Sequence, residues 1–86
     1  MTGWRQRFFL RRTLSHPDGR EIVVYEDTGQ GVWIVEARPT DRSAHRTRWT
    51  AGSESGAVRC VAWLCRGDPQ WREGRDGLWG QGRRRP

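Results

Sequence analysis

Apolar positions recur along this chain at two different periods, and the change of period divides it. Before residue 51 they alternate with polar residues or run together in short β-branched blocks; after residue 53 they recur at helical spacing. In WRQRFFLRRTL (4–14) a strand is expected around Phe8–Leu14. His16-Pro17-Asp18-Gly19 then reads as a turn, because proline presets φ, aspartate bonds its own backbone and glycine accepts positive φ. REIVVYED (20–27) is β-branched and aromatic, which suits a second strand. Thr28-Gly29-Gln30-Gly31 is a second turn, VWIVEAR (32–38) a third strand, Pro39 to Ala44 a polar loop, and RTRWT (46–50) a short fourth strand.

The helical part starts at Ser53, a good N-cap, with Glu54 in the first turn, where the helix dipole favours a carboxylate. Ala57, Val61 and Leu64 form one apolar row, with Val58, Ala62 and Cys65 beside it. Gly67 and Pro69 stop the helix, which is expected over 54–66; Gly56 weakens its first turn. This order predicts an α+β fold: a three- to four-stranded antiparallel meander packed against one C-terminal helix. The expected organisation is one small domain over 1–72, followed by a flexible Gly/Arg-rich tail over 73–86.

If Asp27 faces Gln30 across the second hairpin, Val24 opposes Trp33 and Ile22 opposes Val35. These four share one face, the one expected under the helix; Val23, Tyr25, Val32 and Ile34 share the other. A single helix covers only one face. The second is therefore expected to meet the tail, a ligand or a second subunit, and a homodimer follows as an expectation. Trp63 and Trp71 are expected to pack in the core or in an interface.

Size limits the chemistry. With 86 residues and 34% apolar content, the large side chains must form the core, which leaves little room for a deep substrate cavity. Cys60 and Cys65 lie about 500° of helical rotation apart, on different faces, so they read as small apolar groups rather than a disulfide. His16 and His45 are isolated and no C-x-x-C occurs, so no metal and no cofactor is expected. The start, Met1-Thr2-Gly3-Trp4-Arg5, lacks an apolar signal region, and no run approaches the ~20 residues of a membrane span. The expectation is a soluble cytoplasmic protein without a membrane partner.

Charge changes the picture most. All sixteen basic side chains are arginine, six tryptophans accompany them, and the net charge is +6. The guanidinium is a flat fork that grips phosphate with parallel hydrogen bonds and stacks on aromatic rings. A GC-rich genome would also replace lysine by arginine, but that leaves the charge and the tryptophans unexplained. The charge is segregated: residues 1–14 carry +4, 15–37 carry −4, and 38–50 carry +3. Arg46 and Arg48 alternate along the fourth strand with Thr47 and Trp49, as expected for phosphate tracking by a sheet, although a solvated strand face has the same pattern. The candidate contacts are Arg5, Arg7, Arg11, Arg12, Arg38, Arg42, Arg46 and Arg48, with Trp49. Six neutralised phosphates would give a log–log salt slope of about −5 on duplex DNA.

GVWIVEAR (31–38), the basic loop after it, RTRWT and the aliphatic helix together resemble the three-strand-plus-helix layout of AP2-type DNA-binding domains, which phage integrase arm-binding domains share. The chain departs from that layout in its longer loop at 39–45 and in Arg11-Arg12 on the first strand. The C-x-x-W-L stretch after a W-T segment is also similar to MbtH-like chaperones, though with opposite charge and different tryptophan spacing. No functional residue is carried over from either. Catalytic arrangements are missing: there is no G-x-S-x-G, no phosphate-binding glycine loop ending in lysine, and no base beside either cysteine. The sequence thus points to a non-catalytic nucleic-acid-binding protein, DNA favoured over RNA, of the kind a regulator or a mobile-element accessory factor would be. The alternative is an inhibitor or adaptor docking through the second apolar face.

Overall fold

The computed structural model describes residues 7–41 and 43–74. The expected α+β architecture is present, with one strand more than anticipated. The elements run β1 (Phe8–Ser15), β2 (Glu21–Asp27), β3 (Val32–Arg38), β4 (Thr47–Ala51), α1 (Glu54–Cys65) and β5 (Arg72–Glu73). They form one antiparallel sheet in the order β4-β3-β2-β1-β5, with α1 against one face.

Both turns close as their residues dictate. In the first, the Gly19 N–H donates to the His16 carbonyl at 2.9 Å, with Gly19 at φ 101°. In the second, Gly31 takes φ 70° and donates to the Asp27 carbonyl, while Asp27 Oδ1 accepts from the Gly29 and Gln30 N–H groups. That four-residue loop corrects the expected register. Asp27 pairs with Val32 rather than facing Gln30, so Val24 opposes Val35, Ile22 opposes Ala37 and Glu26 opposes Trp33. The slip is two residues, and an even slip leaves every side chain on its expected face. The helix face therefore still carries Ile22, Val24, Trp33 and Val35.

The core is Leu14, Ile22, Val24, Val35, Ala57 and Val61, with Trp33, Trp49, Cys60, Leu64 and Trp71 packed against it. Ser53 caps α1 by accepting from the Gly56 N–H, and Gly67 at φ 73° follows the helix end. Both thiols are free, and burial pushes both up from their usual range. Trp63, expected in the core or an interface, stands outside this core at 55% exposure.

The unexpected β5 extends order past the boundary placed at residue 72. Glu73 pairs with Leu14, Arg72 with Ser15, and the Gly74 N–H donates to the Thr13 carbonyl. A latch holds this return. His16 Nε2 lies 2.8 Å from Asp68 Oδ2, its ring meets Trp71 edge-on at 5.0 Å, and the Arg20 guanidinium covers Trp71 at 5.2 Å. The rest of the expected tail, 75–86, lies outside the described residues. Among the described residues no helix is long and apolar enough to cross a membrane.

Candidate nucleic-acid interface

Strand periodicity aims Tyr25, Ile34, Glu36 and Arg48 at the face opposite α1, because Tyr25 pairs with Ile34 and Glu36 with Arg48. Phe8, Arg38 and Arg46 join them around a depression of about 340 Å³. At its centre is Glu36, a carboxylate in the middle of an apolar strand and only 2% exposed. A buried carboxylate needs partners, since an unpaired one is strongly disfavoured. Three arginines supply them. Arg38 Nε donates to Glu36 Oε1 at 2.8 Å, Arg48 Nη2 donates to Oε2 at 2.8 Å, and Arg46 Nη1 stands 4.0 Å from Oε1. Burial alone would push the Glu36 carboxyl up; the Arg48 and Arg38 hydrogen bonds outweigh it and hold it below the ordinary carboxylate range. Arg38 is fixed further by donating to the Tyr25 hydroxyl at 2.8 Å, and it lies 3.7 Å from Glu21.

Three guanidiniums thus face two carboxylates, which leaves one net positive charge. The supply of donors is larger than that charge implies. Each guanidinium carries five N–H groups, and Arg48 uses one of them on Glu36. Arg46 and Arg48 remain 55% and 64% exposed. Glu36 therefore acts as an anchor that orients the forks while most of their donors face solvent.

The other candidates are not brought to this cluster. Arg7 makes a two-point ion pair with Asp27 at 2.7 and 3.1 Å, Arg11 pairs with Glu26, and Arg12 pairs with Glu73. Arg12 borders the groove between β1 and α1, on the opposite side from Arg48. β1 and β4 are separated by β3 and β2, roughly 14 Å at ordinary strand spacing, so the described arginines of the two basic blocks do not fuse into one patch. Trp49 opposes Val35 and packs on the core, away from the arginines on its own strand. Arg5 and Arg42 lie outside the described residues.

Sequence reasoning missed Glu36 as the organiser and Phe8 and Tyr25 as its aromatic border. A usable signal was present: a lone carboxylate inside VWIVEAR, at a strand position whose neighbours across β4 carry arginine. No protein-family model, curated protein or solved structure matches the chain. Its function has to be argued from the chemistry of this site.

Proposed function

We propose that the chain is a non-catalytic nucleic-acid-binding module whose open sheet face contacts the phosphate backbone through Arg38, Arg46 and Arg48, with DNA as the preferred partner. The observation that carries this reading is the convergence of three arginines on one buried carboxylate beside exposed aromatic surface. Forks held in place by a carboxylate lose less freedom on meeting a phosphate than free arginine side chains do. Arg46, the most loosely held, turns to a phosphate at the least cost to the sheet. Tyr25 and Phe8 offer planar surface to a sugar or a base. Three phosphate contacts imply a salt slope of about −2.7 on duplex DNA, shallower than the −5 expected from six. The test is co-purification. The ratio of absorbance at 260 to 280 nm should be raised after low-salt purification and fall after a high-salt wash. A ratio typical of protein alone before any wash would count against the proposal.

A second reading rests on a specific observation: Phe8 and Leu10 are 46% and 43% exposed at one end of β1, beyond the stretch that β5 pairs. A homodimer or a protein partner would cover them. The open face is otherwise less bare than the sequence suggested, since Val23 and Glu36 are buried there. Light scattering at ~100 µM separates the two readings. A standard ~1,600 Å² interface would populate a dimer at that concentration, whereas the nucleic-acid reading needs only the 10.0 kDa monomer.

A further inference from the structure

Ten arginines lie among the described residues, and seven of them stand within 4.0 Å of a carboxylate. The three that do not are Arg59, Arg66 and Arg72. Two of these, Arg59 and Arg66, lie on the outer face of α1 and at its C-cap, on either side of Trp63, the most exposed large hydrophobic residue described. Positions 59, 63 and 66 follow helical spacing, so they form one stripe on the side of α1 away from the sheet. Arg66 is held there by donating from Nη1 to the Trp63 carbonyl at 2.8 Å, and its guanidinium lies 4.4 Å from the Trp63 ring centroid. Val58 and Ala62, both exposed, flank the stripe on the side where α1 borders the groove toward β1.

These features conflict with an ordinary solvated helix face. Such a face mixes charge signs and buries its large aromatics. Here the stripe over 58–66 has two cations, an indole and no acid. Neither arginine meets a carboxylate among the described residues, in contrast to Arg38 and Arg48 on the sheet.

We propose that the outer face of α1 is a second binding site, a stacking platform for single-stranded nucleic acid. A nucleobase stacks on the free face of Trp63, and the flanking phosphates are taken by Arg59 and Arg66. The occupant is chosen by chemistry. Indole stacks on any base, and the adjacent positive charge, which meets no carboxylate among the described residues, calls for an anionic backbone on both sides of that base. A duplex keeps its bases stacked inside and offers Trp63 none. The inference rests on the nucleic-acid reading above and adds to it a single-strand specificity located on the opposite side of the domain from Glu36.

The probe is a fluorescein-labelled oligothymidylate, followed by anisotropy at ~50 mM salt with the whole chain. Trp63→Ala should weaken binding roughly 5- to 150-fold, the loss of one stacked base. Trp63→Phe, which keeps a ring, should restore most of it. Arg59→Ala should flatten the salt slope by about 0.7, the value for one single-strand phosphate. Since Trp63 and Arg59 are exposed, all three variants should keep the wild-type circular dichroism and melting curve. Wild-type affinity and slope in Trp63→Ala, with loss of binding in an Arg46→Ala, Arg48→Ala protein, would overturn the helix site and leave the sheet site standing. Absence of oligothymidylate binding beside intact duplex binding would overturn it as well. Absence of both would overturn the parent reading.

Discussion

The two faces of the sheet carry similar apolar residues but are closed in different ways. On one face Ile22, Val24 and Val35 are buried because α1 lies over them. On the other, Val23 and Glu36 are equally buried with no helix or second sheet over them among the described residues. There Arg38 and Arg48 hydrogen-bond Glu36 and Arg46 stands 4.0 Å from it, their long arms bordering the carboxylate while Arg46 and Arg48 stay exposed. A buried carboxylate on a strand face can therefore be satisfied by guanidinium side chains that keep exposed donors, which is the feature the proposed phosphate contact uses.

The contrast breaks most visibly under truncation. Ile22→Ala beneath the helix should cost about 2–5 kcal/mol in urea unfolding. Ile34→Ala on the open face, where the side chain is only half-buried, should cost less than about 1.5 kcal/mol. Equal losses would mean that a partner covers the open face in solution. The next largest effect is expected at Glu36. Glu36→Gln leaves buried donors without their anion and should cost about 1–3 kcal/mol, yet it adds one positive charge to the open face. DNA affinity should rise as stability falls; a parallel fall in both would give Glu36 a purely structural role.

Acid should act on the same residue. Arg48 and Arg38 hold Glu36 low against its burial, and Arg7 and the turn N–H groups hold Asp27 low. For groups lowered by folding, the stability they contribute is complete above the ordinary carboxylate pKa of about 4 and is lost as pH falls through the lower folded values. The melting temperature should therefore be level near neutrality and decline below about pH 4, less steeply in Glu36→Gln. The smallest effect on stability belongs to Arg46→Ala, which removes a 4.0 Å contact on an exposed side chain and should change unfolding by less than about 0.5 kcal/mol.

The fold was largely legible in the sequence because local chemistry and tertiary packing agree. The Pro-Asp-Gly turn, the Ser53 cap and the 57-61-64 row each specify their element without help from distant residues. The strand register was not legible to the residue, because a four-residue loop and a two-residue loop preserve the same faces. β5 carried no pattern at all: two residues held by edge pairing and by the His16–Asp68 and Trp71 contacts are a tertiary effect. The site was half legible. Charge blocks along the chain pointed to arginine, but a charge block does not show which carboxylate each arginine meets. Asp27, Glu26, Glu73 and Glu36 divide these arginines among separate places, and among the described residues only Glu36 gathers several.

The central claim is that Arg38, Arg46 and Arg48 form a phosphate-contacting face. It is tested most directly by the salt dependence of duplex DNA binding, measured by anisotropy between ~50 and ~200 mM salt for wild type and for Arg46→Ala, Arg48→Ala. The wild-type slope should be about −2.7 and the double variant's about −0.9, since each lost phosphate contact removes about 0.9. No duplex binding at ~50 mM salt, or an identical slope in a double variant that keeps its circular dichroism spectrum, would contradict it.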